Sequence, residues 1–306
     1  MKTPQPESFG IQWYQIVSLV ALDVAIIISW IAYHEYQPKL LEQFRFTELS
    51  LALAIVQGIV LFLTPPIAGW FADKMRRAGK ERLPVVNIGI STVSMIFMAV
   101  AATIFANPQG TIRLLFPFMI VFWLISMNIF HSPAISTLEL FVPKDKLPRV
   151  MAIFTLIADI AQSIEPSIVD LINFFGAPIT FFVGGALVFS TGWWFKKTTT
   201  RWMKVHITQE AEDVHGVPSS SNFLNVFLIG IGLGVATVFF FSIFPDWAEE
   251  RLTFLQDWNW KSSYFVSLLI AFAALIGLPI SAFVEKQGVL RTSIIGLISC
   301  IALVIC

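Results

Sequence analysis

The stretch Gly69-Trp70-Phe71-Ala72-Asp73-Lys74, followed by Gly79-Lys80-Glu81-Arg82, decides how this chain is read. It closes the second of a series of long apolar segments with an acid, a run of bases and two glycines. A shorter version, Ala282-Phe283-Val284-Glu285-Lys286-Gln287-Gly288, closes the eighth such segment. A charged, glycine-bearing turn at corresponding helix ends in two parts of one chain points to an internally repeated architecture. Asp73 lies where a helix meets water, beside Lys74, Arg76, Arg77, Lys80 and Arg82. A carboxylate there can pair with the bases and with the positive end of a neighbouring helix, holding one side closed until the helices move. A conformational latch is therefore expected of Gly69, Asp73, Lys74, Gly79, Lys80 and Arg82, and of Glu285, Lys286 and Gly288 in the second copy.

Working outward, 56% hydrophobic residues, 13% charged residues and 29 Phe make the chain too apolar for an ordinary soluble fold. Apolar stretches recur at the length of about 20 residues that a helix needs to cross about 30 Å of hydrocarbon. Spans are expected near 11–33, 49–71, 85–106, 113–141, 149–173, 178–196, 222–245 and 262–284. A ninth starts near Thr292 and is still running at Cys306. Roughly 15 residues are too few to span comfortably, so a truncated second bundle is expected. If the N-terminus is cytoplasmic, fifteen of the twenty Lys and Arg fall in inside segments and five (Lys39, Arg45, Arg113, Arg251 and Lys261) outside. That asymmetry obeys the positive-inside rule and predicts an integral protein of the cytoplasmic (inner or plasma) membrane, N-terminus in the cytoplasm. No cleavable signal precedes the first span, and Cys300 and Cys306, both in the ninth, build no disulfide framework.

Three regions follow: a six-helix N-terminal bundle over 1–196, a cytoplasmic linker over 197–221, and the start of a C-terminal bundle over 222–306. In the linker Trp202, Val205, His206 and Ala211 interleave with charges, as in a helix lying on a membrane surface. The connection from Pro245 to Ser262 carries Trp247, Trp258 and Trp260, which suits interfacial anchoring or a lid over a cavity. Gly230-Ile231-Gly232-Leu233-Gly234 sits inside an apolar helix with no strand before it, so helix packing explains it better than nucleotide binding. No HExxH, GxSxG, Walker A or paired CxxC occurs, so nothing supports enzymatic chemistry, a cofactor or a metal.

The duplicated loop resembles that of the major facilitator superfamily, which implies an all-α polytopic fold, two repeated bundles and secondary transport by alternating access. The spacing from Asp73 through Gly79 to Arg82-Leu83-Pro84 is similar to the loop of glycoside–cation symporters and sucrose-type transporters. In the fourth span Trp123, Asn128, Ser132-Pro133-Ala134 and Glu139 add to that partial resemblance, which covers the second to fifth spans best. Those transporters carry an arginine after the proline and an acid upstream of the asparagine, where this chain has Ile135 and Leu124. In the fifth span, drug–proton antiporters of the superfamily have a glycine-rich stretch; here stands Ala161-Gln162-Ser163-Ile164-Glu165-Pro166.

A carboxylate at a helix centre costs about 2.5–3.5 kcal/mol on insertion scales, so one is rare without a partner or a task. Asp23 lies ten residues into the first span and ranks first as a proton or substrate group. Trp30, seven residues on, shares its face and can stack on a sugar ring or simply pack. Asp159, Gln162, Pro166 and Asp170 form a stripe along an unbroken fifth helix, with Glu165 off it; a proton relay and packing against polar neighbours both fit. Asn128, His131, Ser132 and Glu139 share one face of the fourth span, where His131 is either a titrating group or a structural hydrogen-bonder. Glu139 suits pairing with the bases around Arg76, and Gln57 is a further cavity candidate. Every Lys and Arg can be placed in a loop or at a span end, which disfavours anionic solutes and favours neutral or cationic ones.

The expectation is a monomeric secondary transporter that couples the entry of a neutral solute, such as a sugar or glycoside, to protons. Its partners are then the solute, the proton and the lipid bilayer, and not nucleic acid. A proton-coupled exporter of amphipathic cations or drugs, and a non-transporting membrane receptor or assembly factor of the same fold, stay open as alternatives.

Overall fold

The computed structural model describes residues 10–77, 83–106, 113–143, 145–210, 243–251 and 262–288, with short stretches between 224 and 235 and between 291 and 299. These residues form helices and turns, with no strand among them. Backbone N–H and C=O groups have no water to bond in hydrocarbon, so apolar segments of this length satisfy them internally, as helices. The elements are α1 (Trp13–Gln43), α2 (Ser50–Arg77), α3 (Leu83–Ala106), α4 (Leu115–Ser136), the short α5 (Leu138–Phe141), α6 (Leu147–Ser163), α7 (Glu165–Phe175), α8 (Ala177–Glu210), α9 (Phe244–Arg251) and α10 (Ser262–Gln287). Six described stretches, in α1, α2, α3, α4–α5, α8 and α10, are long and apolar enough to cross a membrane, and α6 with α7 makes a seventh if the pair is one span. The chain is an all-α polytopic membrane protein. The seventh and ninth expected spans fall largely outside the described residues.

Three helices depart from the sequence expectation. Helix α1 runs to Gln43, ten residues past the expected end, and its 31 residues rise about 46 Å. The added turns carry His34, Glu35, Lys39 and Glu42, so the apolar part still ends near Tyr33 and Asp23 keeps its place at the middle of that part. Helix α8 continues unbroken to Glu210, through much of the stretch expected as linker; residues 211–221 lie outside the described residues. The fifth span is broken at Ile164, with α6 and α7 bent by 51°. Pro166 has no N–H to offer the preceding turn, and its ring crowds the carbonyl four residues back, which is why the helix breaks there. The break interrupts the expected stripe and brings Glu165 to Gln162 instead: Gln162 Nε2 donates to Glu165 Oε2 at 2.7 Å.

The chain divides into two compact units, Met1–Asp145 with Ser167–Asp213, and Lys146–Pro166 with Val214–Cys306. In the first, α1 packs on α8, α8 on α3, α3 on α4 and α4 on α2, while α1 also touches α4 and α5. Its core is built from Leu19, Leu22, Phe97, Phe116, Leu124, Met127, Phe130, Leu138, Phe141 and Phe195, all fully buried. Glycines let the helices approach: a Cβ on Gly89 of α3 would lie 2.5 Å from Phe130 Cβ of α4, and one on Gly192 of α8 would overlap Ile90 of α3. Between α1 and α8 the buried hydroxyls of Ser18 and Thr198 are hydrogen-bonded at 2.9 Å. In the second unit α6 packs along α10, and α9 against α10.

One polar tie joins α1 to α7 in the first unit. Lys39 pairs with Glu35 and donates to Asn173 Oδ1 at 3.0 Å, Asn173 Nδ2 donates to Glu35 at 3.1 Å, and Tyr36 donates to the Ile172 carbonyl at 2.8 Å. The Lys39 side chain is about half exposed, so the ionic part of the tie is weak. Lys39→Ala is expected to cost under about 1 kcal/mol, with a thermal-unfolding midpoint in detergent close to that of the parent protein.

Candidate functional site

Asp23 is 6% exposed on the face of α1 that meets α4. There it finds His131: Nε2 lies 3.0 Å from Asp23 Oδ1. An ionised carboxylate only accepts, so with Asp23 charged the hydrogen of this bond sits on His131 Nε2. The two side chains differ in access, 9% exposed for Asp23 and 39% for His131, so the imidazole is the more accessible member of the pair. With a neutral ring the pair carries one negative charge; one added proton makes it neutral. A buried charge is far costlier in hydrocarbon than a neutral hydrogen-bonded pair.

Above the pair lies an aromatic cluster. Tyr33 stacks on Trp123 with centroids 4.4 Å apart, and Trp30 meets Trp123 edge-on at 5.0 Å and Tyr33 at 5.6 Å. Phe97 and Phe181 extend it from α3 and α8. Trp123 and Tyr33 are buried and act as packing, whereas Trp30 is partly exposed. Tyr33 Oη donates to Gln57 Oε1 of α2 at 3.3 Å. Asn128, one turn before His131, donates to the Leu124 carbonyl of its own helix at 2.8 Å, and its amide oxygen has no partner among the described residues. The structure thus assembles Asp23 with His131, and Gln57 and Trp30 around Tyr33. Tyr33 was not singled out from sequence; its spacing of three from Trp30 on one helical face was the available signal.

The remaining expected residues lie elsewhere. Asp159, Gln162 and Glu165 belong to the second unit, where Asp159 lines a cleft between α6 and α10. Gly69 and Lys74 sit in the last turns of α2, where the Lys74 ammonium lies 5.1 Å from the Trp70 ring centre. Lys286 is exposed at the end of α10, and Gly288 caps that helix at φ 85°, its N–H donating to the Val284 carbonyl at 2.8 Å. A positive φ of this kind favours glycine, which explains the residue at that point of the second loop copy. The side chains of Asp73 and Glu285, and Gly79, Lys80 and Arg82 entirely, lie outside the described residues, as does the Arg76 side chain expected opposite Glu139. No cluster of three or more His, Cys, Asp or Glu suited to a metal occurs among the described residues.

The family model described as Major Facilitator Superfamily matches residues 12–306, nearly the whole chain. This chain belongs to the major facilitator superfamily. No curated protein and no solved structure matches it. Membership makes it an integral membrane transporter acting on small-molecule solutes, in a superfamily whose members are typically transporters rather than enzymes. The all-helical architecture and the apolar spans agree with that assignment.

Proposed function

We propose that this facilitator protein is a proton-coupled symporter of a neutral solute such as a sugar or glycoside. The observation that carries the reading is the buried Asp23 carboxylate held 3.0 Å from a half-open His131. In the proposed cycle the pair takes a proton from outside through His131 and becomes neutral. The cost of enclosing it falls, the solute is occluded, the bundles rock, and deprotonation on the inner side resets the carrier. The N-terminus is cytoplasmic in this scheme, supported by the fifteen-to-five distribution of Lys and Arg. The loop from Gly69 to Arg82 and its copy at Glu285–Gly288 act as the inner latch.

A neutral solute suits the polar groups on these helices. Asn128 stands one turn from His131, Gln57 and Trp30 stand by Tyr33 further along α1, and every Lys and Arg falls in a loop or at a span end. An anion would need such a base to offset its desolvation. The test is a panel of mono- and disaccharides added to vesicles carrying the protein, with external pH recorded. At least one sugar is expected to cause saturable external alkalinisation. Silence across the panel, with efflux of amphipathic dyes instead, would select the exporter. Solute binding without flux would select a receptor.

A further inference from the structure

We propose that the face of α8 carrying Trp193, Lys196 and Lys197 is a binding site for one anionic phospholipid, held by its phosphate at the end where α8 leaves the hydrocarbon. The apolar span of this helix runs from Ala177 to Thr200. One side of it is spent on protein: Phe181, Val188, Phe195, Thr198 and Thr199 are buried, and α8 packs on α1 and α3. The other side is open, with Phe182, Phe189 and Trp193 each more than half exposed, at spacings of seven and four. Such spacings keep the three residues in one stripe. The stripe runs about 16 Å along the axis, close to the hydrocarbon depth of one leaflet.

The stripe ends in bases. Lys197 follows Trp193 by four residues and Trp194 by three, so on the helix surface it stands between the two. Its ammonium lies 5.1 Å from the Trp193 ring centre, and Lys196 is exposed beside it. Neither lysine has a carboxylate partner among the described residues, and α8 carries no acid before Glu210. In the helical register Arg201 and Lys204 fall in the same sector as Lys197. On α1, the exposed Tyr14 accepts a hydrogen bond from Trp194 Nε1 at 3.3 Å, and its own hydroxyl hydrogen has no acceptor among the described residues. This order of groups matches a lipid, with its chains along Phe182 and Phe189, its ester region at the tryptophans and its phosphate at the ammonium groups. Charge selects the class. A zwitterionic headgroup brings its own ammonium into this run of bases, whereas a net negative headgroup meets only attraction. Free phosphate carries the same charge but has nothing to lay on the aromatic stripe. The surface lies within the first unit, and it depends neither on the Asp23 pair nor on the direction of transport.

Native mass spectrometry of the full chain tests this, with phosphatidylglycerol or phosphatidylcholine of identical chains titrated into the detergent-solubilised protein. The first phosphatidylglycerol is expected to bind roughly fivefold or more tightly than the first phosphatidylcholine. Lys196→Gln combined with Lys197→Gln should remove that preference, and Lys196→Arg with Lys197→Arg should keep it. Trp193→Ala should weaken phosphatidylglycerol roughly threefold or more, and it decides the matter if the glutamine pair fails to fold. Lys146→Gln, at an exposed base at the start of α6, should change nothing. Equal binding of the two lipids by the parent protein, undiminished binding by the glutamine pair or by folded Trp193→Ala, or an equal loss with Lys146→Gln would overturn the proposal. Displacement of the lipid by millimolar inorganic phosphate would overturn it in favour of a site for free anions.

Discussion

Asp23→Asn is expected to abolish uphill solute accumulation while leaving exchange of solute across the membrane at equal concentrations largely intact. The asparagine keeps the size of the side chain and can still hydrogen-bond His131, so α1 and α4 stay packed. What disappears is the group whose charge one proton cancels. A permanently neutral site can close with or without a proton, so solute movement is no longer tied to the proton gradient. The steady-state accumulation ratio should fall to about unity, since binding that is independent of the proton extracts no work from its gradient. His131→Asn is expected to do less. It removes the accessible relay but leaves the carboxylate, so accumulation should slow without vanishing. Isotope accumulation against the exchange rate, in the same vesicles, separates the two outcomes.

The second large effect is steric. Gly89→Ala places a methyl group 2.5 Å from Phe130 Cβ, an atom fixed to the α4 backbone that cannot rotate away. The helices must separate, at a cost of about 1–3 kcal/mol for an overpacked interior, and more for valine. Phe130 immediately precedes His131, so the displacement also reaches the Asp23 pair. The expected result is a lower thermal-unfolding midpoint together with weakened accumulation. Gly58→Ala on α2 is the control, since its added Cβ meets nothing within 4 Å. It should unfold at or above the parent temperature, alanine being the better helix former.

The transmembrane architecture was legible because hydrocarbon thickness imposes a length and an apolar composition that few soluble helices share. The duplicated loop between Gly69 and Arg82 and at Glu285–Gly288 carried the family in the same way. The limits of the reading were local and tertiary. Pro166 sits in a pattern that is apolar on both sides, so periodicity alone carried the helix straight through the break at Ile164. The charges after Lys196 read as the end of a span, yet leaving the hydrocarbon does not oblige a helix to stop, and α8 runs on as one helix to Glu210. Asp23 and His131 were each visible as polar residues inside apolar spans. Their pairing was not, because 108 residues separate them and helical periodicity gives a face but no partner. Asp159 was legible as a costly carboxylate. Its cleft depends on Ala273, Ala274 and Gly277 of a distant helix, small residues that carry no chemistry of their own in sequence.

The proposed coupling moves one proton on the Asp23–His131 pair with each solute. Its most direct measurement is solute-driven proton uptake in proteoliposomes without a membrane potential, with protons and labelled solute counted together. The parent protein is predicted to take up protons in fixed proportion to solute, and Asp23→Asn to carry solute down its gradient with no proton movement. Proton uptake by Asp23→Asn in the parent proportion would contradict it.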